Sequence, residues 1–205
     1  MPKEPRKQPG ETTRRQIVDA ALETLKREGF AGATSRTIAR AGRFNQALIF
    51  YHFGSLDGLL LAALDHTSSE RLGRYRQAVA DAASVDELLA ALARLYAEDR
   101  ERGHMTVVAQ MVAGSAARPE LKPALVERME PWLALCEEAV EKGSRWLGLP
   151  ELVPGRELAY AFVTFYLGVN LMTLLDEDRA RTDALFARLD AVAPLLAAAT
   201  IGSDG

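Results

Sequence analysis

The chain is poor in the residues that build stapled, metal-bound or catalytic proteins. It has one cysteine, Cys136, in 205 residues, which excludes an intramolecular disulfide and suits a reducing cytoplasm. Its three histidines, His52, His66 and His104, fall on separate segments with no His or Cys at metal-ligand spacing, so no metal is expected. The sequence offers no Ser/His/Asp constellation, no Walker loop and no GxGxxG fingerprint; nothing asks for catalysis, and no cofactor is expected. Cys136 lies on an apolar helical face without a basic neighbour, which is the setting of a small core residue and not of a nucleophile.

Strand alternation is missing too. Apolar residues recur at three and four almost everywhere, so the expected fold class is all-α. Only residues 158–175, LAYAFVTFYLGVNLMTLL, form a long uncharged run, and it is at the short end of a membrane span. Thr164, Gly168, Asn170 and Thr173 dilute it, Asp176, Glu177 and Asp178 follow at once, and no Lys/Arg cluster flanks it. A helix packed against other helices is therefore expected, and no membrane partner. Residues 1–10, MPKEPRKQPG, are polar and proline-rich, and are expected to be a flexible basic arm and not a signal peptide.

The net charge of −3 conceals an asymmetry. Residues 1–53 hold ten Lys/Arg against five Asp/Glu, a net +5, whereas residues 54–205 hold fifteen against twenty-three, a net −8. A basic head on an acidic body is the pattern expected when one end alone meets phosphate.

Local signals divide the chain into about nine helices. Ile17, Val18, Ala21, Leu22 and Leu25 mark one face of the first, with Thr13 and Gln16 as its capping box and Gly29 at its end. Thr34 caps a short helix over 35–41 and Asn45 another over 46–52; a longer helix starts at Ser55. Ser84 and Glu87 form a second capping box, Gly103 separates two helices, and Pro131 is expected to kink or restart a long helix that follows Pro119. The last two helices, near 156–175 and 182–199, are the most apolar.

Residues 34–60, TSRTIARAGRFNQALIFYHFGSLDGLL, carry the functional signal. Two short helices joined by a tight glycine-containing turn suit a helix-turn-helix, in which the first helix braces the second and the second enters the major groove. Ile38, Ala39, Ile49 and Phe53 fall on the packing faces. Gln46, Ala47, Leu48, Tyr51 and His52 are left pointing outward, where they suit base edges and phosphates.

This stretch resembles the DNA-binding domain of the TetR family of bacterial regulators: a Thr-capped helix with Ile-Ala, a glycine turn, a short helix ending in Tyr-x-His-Phe, and a helix opening with a leucine spaced as Leu59. The resemblance covers roughly residues 12–64. It implies that Thr34, Ser35 and Arg36 meet DNA at the start of the bracing helix. Asn45 would take a phosphate-contacting cap position, Gln46, Ala47 and Leu48 the base-reading positions, and Tyr51 and His52 phosphate-contacting positions. Gln46 pairing with adenine N6/N7 and Leu48 pressing on a thymine methyl would follow. Two positions depart from the pattern. Arg43, preceded by Gly42, stands where a glycine is usual, so either Gly42 supplies the positive φ one place early or Arg43 itself adopts the left-handed conformation. Leu56 stands where a phosphate-binding lysine is usual, and Arg43 or the basic residues Lys3, Arg6, Lys7, Arg14 and Arg15 are expected to replace that anchor.

The resemblance further implies three segments: an arm over 1–10, a helix-turn-helix domain over 11–54, and an effector-binding and dimerisation domain over 55–205. Met111, Trp132, Cys136, Phe162, Phe165, Tyr166 and Asn170, with Met172, are candidates to line an apolar effector cavity, although each also suits ordinary core. The expected partners are a double-stranded, pseudo-palindromic operator, a second copy through the last two helices, and a small apolar or aromatic ligand that releases a cytoplasmic repressor from DNA. Two other readings stay open: an architectural DNA binder without effector, and a helical enzyme or ligand carrier whose head no longer binds DNA.

Overall fold

The computed structural model describes residues 9–148 and 154–175, with 180, 181, 184 and 188. Eight α-helices and no strand lie among the described residues: α1 (Pro9–Gly32), α2 (Ser35–Gly42), α3 (Ala47–Phe53), α4 (Leu56–Asp81), α5 (Val85–Glu101), α6 (His104–Gly114), α7 (Lys122–Leu147) and α8 (Gly155–Leu175). A single 3-10 turn, Pro119–Leu121, leads into α7. Of the ninth expected helix, over 182–199, only residues 184 and 188 are described, both helical, and the rest lies outside the described residues. No single described helix is long and apolar enough to cross a membrane; α3 with α4 passes by length and composition as a bent pair, yet both supply buried core residues.

Several local expectations change. α1 does not stop at Gly29 but breaks there (φ 69°, ψ −176°) and resumes to Gly32. It also begins before Thr13, so Gln16 is not needed as a capping acceptor, and its Nε2 instead donates to the Gly42 carbonyl at 2.9 Å. α7 runs through Pro131 without the expected restart. The proline removes one N–H, but Leu125 and Leu135, buried on either side of it, hold the flanking turns. The Ser84 box forms in outline, with Glu87 N–H donating to Ser84 Oγ (3.2 Å) and Ala83 N–H to Glu87 Oε2 (2.9 Å).

The chain divides into two compact units, Met1–Arg71 with Arg100–Arg128, and Leu72–Asp99 with Met129–Gly205. The first unit runs past the expected boundary at residue 54, since its core joins α1 to Leu59, Leu60, Ala63 and Leu64 of α4 and to Val107 and Met111 of α6. In the first unit Ile17, Val18, Ala21, Leu22 and Leu25 of α1 meet Ile38 of α2, Ile49 of α3, Leu59, Leu60, Ala63 and Leu64 of α4, and Val107 and Met111 of α6. Each large side chain buried there contributes about 1.5–3 kcal/mol, so the two short helices are held by this core and not by their own propensity.

The second unit packs Val79, Ala82, Leu88 and Leu135 with Leu72, Tyr75, Leu92 and Trp132. The Tyr75 and Trp132 rings meet edge to face at 5.5 Å. Asp99 is fully buried, and Arg74 holds both it (2.7 Å) and Glu98 (2.8 Å), since a buried carboxylate without a cation would be strongly destabilising.

Candidate nucleic-acid interface

Thr34 starts the interface. Its side chain accepts from the Thr37 N–H (3.2 Å), and Thr37 Oγ1 accepts from the Thr34 N–H (2.9 Å), a reciprocal cap that fixes where α2 begins. α2 ends at Arg43 in the left-handed region (φ 56°, ψ 43°), with the Phe44 N–H returning to the Ala39 carbonyl at 3.1 Å. Of the two possibilities left by the sequence, Arg43 therefore carries the positive φ. Gly42 is required for space: a Cβ there would stand 2.2 Å from the Phe44 ring and 2.9 Å from the Ala20 Cβ. Conformation and close approach both favour glycine, and this turn places them on adjacent residues.

Asn45 caps α3 through its Oδ1, which accepts from the Ala47 N–H at 2.9 Å. Gln46 Nε2 donates to Ser35 Oγ at 2.8 Å, tying the starts of α2 and α3 together. An amide nitrogen has two N–H groups, so Oε1 and the second N–H stay available to a base edge. Arg36, Arg43, Asn45, Gln46 and Ala47 are exposed. Tyr51 is 81% exposed, and its ring meets that of the half-buried His52 edge to face at 4.9 Å.

Leu48 departs from its expected outward position; it is half-buried and packs on the first unit's core, as does Leu56. Phe50 takes the outward place, 47% exposed. Spacing alone did not give this: with Ile49 and Phe53 turned inward, 47 and 51 fall opposite, while Phe50, three residues before Phe53, stands on the flank of the inward face. Arg14, expected among the anchors, lies with its guanidinium 4.9 Å from the centre of the Phe53 ring.

The expected effector residues are divided between the two units, Met111 in the first and the others in the second. Met111 is fully buried in the core beneath α1. Trp132 is taken up by Tyr75, and Tyr166 meets Tyr96 at 5.2 Å. Asn170 is buried and donates from Nδ2 to the Tyr166 carbonyl at 2.7 Å. Cys136 is half-buried, and burial pushes its thiol above the ordinary value. Phe162 and Phe165 are 63% and 43% exposed, so they line no interior cavity. On a helix apolar all round, periodicity does not mark the inward face. The second unit does hold an open groove of about 360 Å³ between α7 and α8, bordered by Glu130, Glu137, Arg156 and Tyr160; none of the expected residues lines it.

Comparison with known proteins bears on the same segment. Residues 17–63 match the family model for bacterial regulatory proteins of the tetR family. The chain is 38% identical over 56 residues to the HTH-type transcriptional regulator BetI of Paraburkholderia phytofirmans, covering 27% of this chain and 29% of that protein. It is 34% identical over 61 residues to the HTH-type transcriptional repressor NicS of Pseudomonas putida, covering 30% and 29%. The matched segment thus spans less than a third of either relative. The whole fold is similar to that of a transcriptional regulator from Saccharomonospora viridis solved in complex with choline, with a TM-score of 0.71 and 21% identity over 89% of this chain and 95% of that one. The capped α2, the glycine-arginine turn and the exposed face of α3 all fall inside the matched segment, and residues 17–63 are thus similar to the N-terminal segment of bacterial regulatory proteins of the tetR family.

Proposed function

We propose that this chain is a transcriptional repressor that binds a pseudo-palindromic operator as a homodimer and leaves it when a small ligand binds the body. The observation that carries the reading is the α3 face, where Gln46, Ala47, Phe50 and Tyr51 stand exposed together within a segment of net charge +5. Gln46 would read adenine through the amide edge that Ser35 leaves available, while Phe50 and Ala47 would make apolar contacts with thymine methyls. Thr34, Ser35, Arg36, Arg43, Asn45, Tyr51 and His52 would hold the sugar-phosphate backbone and set register. Leu48 supports the helix from behind.

Dimerisation would use α8, on which Tyr160, Phe162, Phe165, Met172 and Leu175 are exposed, a larger apolar face than an isolated helix leaves in water. Two recognition helices would then lie roughly 34–36 Å apart, one turn of DNA. That the similar S. viridis regulator was solved in complex with choline supports a small-molecule ligand. Release follows if that ligand binds the DNA-free arrangement more tightly. The protein would act by binding and not by catalysis, in the cytoplasm.

The test is fluorescence anisotropy with duplexes from the region upstream of its own gene, at several salt concentrations. Saturable binding to one duplex over a scrambled duplex is expected; failure to bind any duplex at low salt would sink the reading. An architectural DNA binder is separated by a ligand screen, in which a true effector raises the melting temperature and weakens operator binding together.

A further inference from the structure

Both ends of the helix-turn-helix meet at one arginine. The break in α1 at Gly29 turns Phe30 toward α6, where its N–H donates to Gln110 Oε1 at 3.0 Å. Its ring lies on bare backbone at the end of α6, since a Cβ on Gly114 would stand 2.1 Å from the Phe30 Cγ. No side chain other than hydrogen fits at that position. Phe30 is nearly fully buried and stands four residues before Thr34, the cap of α2. The Arg118 guanidinium covers the same ring, 5.1 Å from its centre, and donates from Nη1 to Asp57 Oδ1. Asp57 sits in the first turn of α4, directly after the Gly54–Ser55 link that closes α3. The chain entering α2 and the chain leaving α3 are therefore fixed to the same side chain.

We infer that Arg118 is a positioning residue for DNA recognition: through Phe30 and Asp57 it sets the angle at which α2 and α3 are presented, without touching DNA. The inference rests on the DNA-binding reading above. Arg118 suits the task chemically. Its planar guanidinium stacks on a ring with its face and donates to a carboxylate with its edge, which a lysine ammonium cannot do at once. The pair is partly sheltered, with the Arg118 and Asp57 side chains 34% and 29% exposed, so it is screened less by salt than a surface pair.

The discriminating variant is Asp57→Asn, because electrostatics and positioning give opposite signs. Removing a negative charge from the basic head strengthens attraction to phosphate, whereas breaking the joint weakens specific recognition. Affinity is read by anisotropy on the operator duplex and on a scrambled duplex, for wild type, Asp57→Asn, Arg118→Gln and the double variant, with a thermal melt of each. Both single variants should weaken operator binding about tenfold and leave scrambled-duplex binding within about twofold, and the double variant should be no worse than either single one. Operator affinity unchanged or tightened in Asp57→Asn overturns the inference. So does an equal loss on both duplexes in Arg118→Gln, which would make Arg118 a phosphate contact. If Asp57→Asn fails to fold, Arg118→Lys decides: it keeps the charge on Asp57 but not the ring cover, should lose several-fold on the operator alone, and overturns the inference if it matches wild type. Wild type that binds no duplex refutes the underlying reading; wild type that binds while every variant matches it refutes this inference alone.

Discussion

Replacing Arg43 by glycine should make the protein more stable and its DNA binding weaker. Arg43 holds φ 56° and ψ 43°, where a side chain crowds its own carbonyl at a cost of about 1–2 kcal/mol. Glycine removes that cost but adds freedom to the unfolded chain worth about 0.4–1 kcal/mol. The expected net gain is about 0.5–1 kcal/mol, or roughly 1–4 °C in melting temperature for a chain of this size. The neighbouring substitution has the opposite sign. Gly42→Ala places a Cβ 2.2 Å from the Phe44 ring and should destabilise by about 1–3 kcal/mol through overpacking. Urea melts of both variants, followed by helical circular dichroism, give the two shifts directly. In DNA titrations Arg43→Gly should also flatten the dependence of log affinity on log salt by about 0.9 if one phosphate contact is lost. If Arg43→Gly destabilises while Gly42→Ala is neutral, the division of conformation and space between these residues is refuted.

Other substitutions separate reading from scaffolding. Gln46→Ala should cost about 1–3 kcal/mol at one base pair of the operator and relax preference there; an unchanged preference in a randomised-duplex binding assay would exclude Gln46 as a base reader. Met111→Ala should destabilise by about 2–5 kcal/mol in a urea melt, since the side chain is fully buried in the core of the first unit. Because burial raises the Cys136 thiol, the folded state binds this proton more tightly than the unfolded chain. The resulting contribution is present below the ordinary thiol value and lost as pH rises through the folded one. Alkylation of Cys136 should accordingly lag behind a model thiol at mildly alkaline pH and reach its rate on unfolding.

The parts of this fold that were legible in the sequence are those set by neighbours along the chain. The five apolar residues on α1 share one buried face, Thr34 caps α2, and Asn45 caps α3, because helical period and capping chemistry act over three or four residues. What escaped depends on distant partners. Gln16 looked like half of a capping box until the Gly42 carbonyl, 26 residues away, proved to be its partner. The choice between Gly42 and Arg43 turned on Ala20 and Phe44, which occupy the space a Cβ would need. Met111 read as a cavity residue because its helix is apolar, and nothing local shows that α6 buries it beneath α1. Leu48 and Phe50 ran against the helical period: spacing puts Leu48 further from the Ile49 and Phe53 face than Phe50, yet Leu48 packs on the core and Phe50 is exposed.

The most direct test of the central claim is the affinity ratio between the operator duplex and a scrambled duplex of equal length, measured by anisotropy across a salt series. The expected result is operator binding at least a thousandfold tighter at moderate salt, with both affinities falling as salt rises, on the order of ordinary specific regulators. Equal affinity for the two duplexes, or binding indifferent to salt, would contradict the assignment of the α3 face to base recognition and of the basic head to phosphate.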